Sequence, residues 1–242
     1  MPRGQPDFGL YTETPVASGI SDPGEAAARL GSINVFDRRG WTVWMDDFEA
    51  PSLKWTGAKA GVGELPILSS TTAFMGAQSV LLNVPAGAGA TSYIRRGFPL
   101  IRLGKTGIEF WVQGFTKTTG YFRIDFDIWD GVNHTRARLH YDTNAGTISI
   151  DDDALGLTVV ATNIYMTTVY YFLPIKLVID MDNDKYTRLL VGSQELDISA
   201  YSVPIIIATT ARHITVTAMV VGSAADNMWM YIDNSILTQN EP

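Results

Sequence analysis

From Trp41 onward, apolar residues recur at every second position along short runs. GIEFWVQGF sets Ile108, Phe110 and Val112 on one side of a strand, with Glu109, Trp111 and Gln113 on the other. YFRIDFDIW repeats the habit, with Phe122, Ile124, Phe126 and Ile128 against Arg123, Asp125, Asp127 and Trp129. Ile175, Leu177 and Ile179 follow it, as do Leu189 and Val191, then Ile214, Val216, Ala218 and Val220. A period of two marks a half-buried strand, whose successive side chains point to opposite faces. Turn-forming clusters separate the runs: DGVN at 130–133, TNAG at 143–146, DNDK at 182–185 and GS at 192–193. About a dozen short strands at this spacing predict an all-β chain, an antiparallel β-sandwich of the jelly-roll kind. No internal repeat is evident, which sets a propeller or solenoid aside. The first strand segment, WTVWMDDFE, and the last, MWMYIDNSIL, are expected to run antiparallel side by side with Phe48 and Ile232 inward.

Residues 1–40 break the pattern. They are rich in Gly, Pro and Ser, and signal a single short helix at about 22–30. Asp22 is placed as its N-cap, Pro23 takes the first helical position and Glu25 completes a capping box. Gly31 ends it. With only Ala26 and Leu30 as an apolar stripe, such a helix must dock on the body of the protein or on a neighbour. The expected organisation is an extended arm with this helix over 1–40 and a sandwich domain over 41–242.

Composition narrows the function. The 242 residues can hold one large β domain, and without cysteine the chain has neither disulfides nor thiolate chemistry. Eighteen basic against 25 acidic side chains give a net charge of −7 and no basic stripe, which argues against a nucleic-acid partner. No run approaches the roughly 18 apolar residues of a membrane span, so no membrane partner is expected. The opening MPRGQPDFG lacks a secretory apolar run, and synthesis in the cytoplasm is expected. His134, His140 and His213 are not spaced like zinc ligands, and no phosphate-binding loop or nucleophile elbow is present.

Several acids look like chemistry. Asp125, Asp127 and Asp130 in IDFDIWD resemble the E-x-D-x-x-E strand of laminarinase-type glucanases, which would imply a glycoside hydrolase. The following HTRARLHY, however, offers Arg136, Arg138 and His140 across a tight connection. Cross-strand pairing would hold these carboxyl groups ionised, the wrong direction for a general acid, and the expectation is that the chain is not an enzyme. DMDND at 180–184 begins like a calcium loop but has Lys185 and Val191 where Gly and Glu are required, so it reads as a hairpin turn. Asp151, Asp152 and Asp153 read as a solvated loop. The DFE and DN of the terminal strands are similar to those of jelly-roll carbohydrate-binding modules. That resemblance implies a structural calcium held by Asp47, Glu49, Asp233 and Asn234. The other reading has Asp47 and Glu49 accepting turn amides, and no other cofactor is expected. Trp111, Tyr121 and Trp129 fall on the polar sides of their strands and form a candidate interaction face for a sugar or a protein, unless a loop covers them.

Two stretches carry further resemblances. LPIKLVIDMDNDKYTRLLVGSQELDIS (173–199) is similar to the strand, acidic hairpin and strand of laminin-G/concanavalin A-like domains, which implies that fold for residues 41–237. RLGSINVFDRRGWTVWMDDFE (29–49) resembles the front end of virion-associated proteins of tailed phages and their prophage relatives. It implies a non-enzymatic virion structural protein, a head decoration or accessory capsid protein. Such a protein would form a homo-oligomer, contact the major capsid or another virion protein, and reside in the virion after synthesis in the host cytoplasm. The alternatives are a carbohydrate-binding module that takes a glycan on its aromatic sheet face, and a glucanase-like hydrolase.

Overall fold

The computed structural model describes residues 37, 39–100, 104–114, 119–152, 156–165 and 171–242. The predicted helix at about 22–30 and nearly all of the predicted arm lie outside the described residues. Residues Gly40–Pro242 form one compact unit, and the described residues of that unit are all-β. In chain order the strands are β1 (Trp41–Asp46), β2 (Thr56–Ala60), β3 (Ile67–Ser69), β4 (Ser79–Val84), β5 (Thr91–Pro99), β6 (Lys105–Gly114), β7 (Tyr121–Trp129) and β8 (Asn133–Asp142). They continue with β9 (Thr147–Asp151), β10 (Leu157–Ala161), β11 (Leu173–Asp180), β12 (Lys185–Val191), β13 (Gln194–Asp197), β14 (Ile205–Ile207), β15 (His213–Val221) and β16 (Met228–Gln239).

Two antiparallel sheets result. The first runs β13-β12-β11-β6-β16-β4-β3, and the second β10-β9-β8-β7-β15-β5-β2 with β14 added on β8. β16 spans 12 residues and organises the first sheet. One of its edges pairs with β6, while the other takes β4 along its first half and β1 along its second, Asp46 facing Ser235. The first and last strands are therefore neighbours, and Phe48 and Ile232 are buried as expected.

Alternation explains the core. Ile108, Phe110 and Val112 from the first sheet meet Phe122, Ile124 and Phe126 from the second, all fully buried. At Asn234 the pairing with β6 shifts by one residue in a bulge, with Asn234 in the left-handed region (φ 49°). The extra residue inverts the alternation, so that Ile232 before it and Leu237 after it both join the core. Tyr186 of β12 crosses between the sheets. Its buried hydroxyl donates to the carbonyl of Asp151 (2.8 Å) and accepts from the amide of Arg138 (3.3 Å), and burial pushes its pKa up.

One device closes three of the predicted turns. Asp130 Oδ1 accepts the amides of Val132 and Asn133, Asp142 Oδ1 those of Asn144 and Ala145, and Asp180 Oδ1 those of Asp182 and Asn183. An Asp at the start of the turn mimics a backbone acceptor and fixes the reversal locally. DMDND is thus a hairpin turn, and Asp130 spends its carboxylate on backbone amides.

Candidate functional site

The outer face of the second sheet carries many polar side chains, laid out in rows that cross β5, β15, β7 and β8. One row reads Tyr93, Met219, Arg123, His140 and the next Arg95, Thr217, Asp125, Arg138. Then come Gly97, Thr215, Asp127, Arg136 and finally Pro99, His213, Trp129, His134. Small side chains on the central β15, flanked by larger ones on β5 and β7, leave a groove of about 580 Å³ along β15. Thr215 and Thr217 floor it, Asp125, Asp127 and Trp129 form one side, and Tyr93 and Arg95 form the other.

Beside the groove the charges are paired. Asp125 is buried and meets Arg123 (Nε, 2.8 Å) on its own strand and Arg138 (Nε, 3.2 Å) opposite. Burial pushes its pKa up against the pull of those two guanidinium groups, whereas pairing alone predicts it held down. Asp127 does not take Arg136 across the strand. Its Oδ1 accepts from His134 Nε2 at 2.7 Å, two residues along β8 from Arg136. Arg136 and Arg138 reach instead toward Asp151, at 3.5 and 3.7 Å, and His140 Nε2 donates to Asp151 at 3.1 Å. The expected solvated loop at 151–153 is therefore corrected at its first residue. Asp151 is buried, because β9 brings it beside three cationic or hydrogen-bonding side chains of β8. Asp130 stands apart in its turn, and the Val132 and Asn133 amides hold its pKa down. The glucanase-like trio does not converge.

At one end of the groove Trp129 is sandwiched between His134 (4.3 Å, 6°) and His213 (4.1 Å, 8°). Both indole faces are covered, so Trp129 meets the groove by its edge. His213 Nδ1 lies 2.6 Å from the Ala211 carbonyl, which can only accept, so Nδ1 carries the hydrogen of that bond. Tyr121, at the far end of β7, packs on the His140 ring at 5.2 Å. The expected interaction face is thus divided: Tyr121 and Trp129 belong to this surface, and Trp111 does not. Trp111 lies on the first sheet, buried beneath Phe74 (stacked at 4.1 Å), and its indole N–H donates to Glu109 at 2.9 Å.

The acids of the terminal strands form a different structure. Asp233 Oδ2 accepts the amides of Phe74 (2.7 Å) and Met75 (3.1 Å), and Oδ1 that of Asn234 (2.8 Å). Glu49 Oε1 accepts the amides of Ala77 and Gln78, both at 2.9 Å, and Asp47 Oδ1 that of Glu49. Together they clasp the segment 70–78 that covers Trp111. Gly76 sits in the left-handed region (φ 75°), and a Cβ there would fall 2.3 Å from Glu49 Oε1, so the clasp requires glycine. The Asn234 side-chain amide is buried with no hydrogen-bond partner among the described residues. Among the described residues no three His, Cys, Asp or Glu side chains are grouped to hold a metal ion. The reading in which Asp47 and Glu49 accept turn amides matches this geometry. Asp46, outside the expected calcium set, is the buried acid of WMDDFE, held by Lys54 (3.1 Å) and Trp55 Nε1 (3.2 Å).

No protein-family profile and no curated protein matches the chain. Solved structures do. An endo-β-1,4-glucuronan lyase from the fungus Trichoderma reesei aligns over 81% of this chain and 95% of its own, with TM-score 0.57 and 10% identity. A Bacillus subtilis protein of unknown function with a galectin-like fold aligns over 84% and 97%, with TM-score 0.54 and 11% identity. The lumenal domain of VIP36, bound to calcium and a mannose-containing glycan, aligns over 78% and 84%, with TM-score 0.50 and 10% identity. The chain also spans 16% of the length of a sialidase that it matches. At these identities the likeness shows the fold: a galectin/concanavalin-like β-sandwich. These neighbours give no support to the resemblance to phage virion proteins.

Proposed function

We propose that the protein binds a carbohydrate chain in the groove along β15. The observation that carries this reading is the lining itself. Two threonine hydroxyls on the floor, carboxylate, guanidinium and phenol groups on the sides, and the Trp129–His213 stack at one end place hydrogen-bonding groups and ring edges along one line. Sugars are recognised by this mixture, hydroxyls by fixed polar groups and C–H faces by aromatic rings. From His213 to Met219 the strand advances about 20 Å, room for several linked sugar rings. Likeness in fold to the VIP36 domain, solved with a bound glycan, adds support. Binding without cleavage is the fuller statement. Asp125 is locked by two arginines and Asp127 by His134, and Asp130 is committed to its turn, so no two of these three are left as an acid and a nucleophile.

A groove-filling variant tests this. Thr215 lies on the floor, and phenylalanine is well tolerated in strands. Thr215→Phe is expected to keep near-parental stability while weakening oligosaccharide binding by about tenfold or more, about 1.4 kcal/mol. Calorimetric titration against a panel of neutral and acidic oligosaccharides measures it. No binding by the parent to any of them, or equal binding by the variant, overturns the reading.

A further inference from the structure

We infer that the glycan this groove takes is acidic, a uronate-bearing polysaccharide whose carboxylate pairs with Arg95. The inference rests on the carbohydrate-binding reading and concerns its substrate class. Arg95 stands on the β5 side of the groove, exposed, opposite Thr217 on β15 and Thr56 on β2. Its position differs from that of every other charged group on the face. Arg123 and Arg138 hold Asp125, Arg136 and Arg138 approach Asp151, and Asp127 is taken by His134. The Arg95 side chain has no ion-pair or hydrogen-bond partner among the described residues. The acid in its own row, Asp125, lies two strands away, about 10 Å, with its arginines already in place.

The unused group is also of a specific kind. A guanidinium offers two parallel N–H donors, matched to the two oxygens of a carboxylate, and has nothing to accept with. A site built for neutral sugar alone gains little from such a fork, since hydroxyls are met equally well by amides or carboxylates. Thr217 and Thr56 on either side of Arg95 provide hydroxyls for the ring that bears the carboxylate.

The experiment uses the full chain and three probes: polyglucuronate, the same polymer after carboxyl reduction, and a neutral β-glucan. The parent is expected to bind polyglucuronate about tenfold or more tighter than its reduced form, a preference that falls with added salt. Arg95→Gln is expected to bring that ratio near one, and Arg95→Lys, which keeps the charge but loses the fork, to leave it in between. Because Arg95 is exposed, both variants should melt with the parent, which separates lost recognition from lost folding. Equal affinity for the charged and reduced polymers, or a preference that survives Arg95→Gln, overturns the acidic-glycan inference and leaves carbohydrate binding standing. Binding to none of the three overturns both.

Discussion

Glu241→Ala is expected to destabilise the protein by about 3–5 kcal/mol, the cost of removing one member of a buried ion cluster. Glu241 follows β16 and has no exposed side-chain surface. Its Oε1 meets Lys176 Nζ of β11 at 2.7 Å, and Lys176 is itself 2% exposed. Its Oε2 meets Arg188 of β12, and the Thr238 hydroxyl donates to Oε1. Gly107 on β6 makes room, since a Cβ there would lie 3.0 Å from Lys176 Cε and 3.1 Å from Glu241 Oε1. Two cations thus share one carboxylate under the outer surface of the first sheet, where water cannot replace it. Urea unfolding measures the loss. Glu241→Gln, which keeps the acceptor oxygen and the shape, should lose less. Replacing Lys176 and Glu241 together by apolar residues should recover much of the deficit, because the desolvation of both charges disappears. A loss below about 1 kcal/mol in Glu241→Ala would place the cluster in the class of solvated surface pairs.

The strands were legible because each is a local statement. Alternation in YFRIDFDIW puts Phe122 through Ile128 inward, and nothing elsewhere in the chain overrides it. Turns opened by Asp130, Asp142 and Asp180 were legible for the same reason, their hydrogen bonds closing within three residues. What escaped depends on residues distant in sequence. Trp111 occupies the outward side of β6, as its position in the alternation requires, yet Phe74 from a loop more than 30 residues away covers it. The expected cross-strand pairing forms between Asp125 and Arg138, but at Asp127 the diagonal His134 wins over the opposite Arg136, which leans toward Asp151. The groove itself had a faint signal. In HITVTAMVV the outward positions are His213, Thr215, Thr217 and Met219, small in the middle, yet only the register of β5 and β7 turns small residues into a floor with sides. Arg95 could not be singled out, because its distinction is to be unpaired while its neighbours are paired. The cluster at Glu241 was equally hidden, three charges from separate segments that meet only after the sheet is built.

The clasp at Asp233 gives the second large effect, and a direction in pH. Its carboxyl is fully buried, and burial pushes its pKa up to about 6, against the three amide donors and assisted by the nearby negative charge of Glu49. In the unfolded chain an aspartate titrates near 4, at about 3.9. The folded state therefore holds this proton more tightly, so the stabilisation it contributes is full below about pH 4, declines as pH rises, and is gone above about 6. Two pKa units correspond to roughly 2–3 kcal/mol. Asp233→Asn has nothing to titrate, so the stability difference between parent and variant should shrink by that amount between pH 4 and pH 7, whatever the other carboxylates do in common. Denaturant midpoints across this range measure the difference. Hydrogen exchange at the Phe74 and Met75 amides locates it, since these two donors share Oδ2 and should exchange faster in the variant. A difference that does not move with pH would mean that the amides outweigh desolvation, and that Asp233 holds segment 70–78 as a carboxylate throughout.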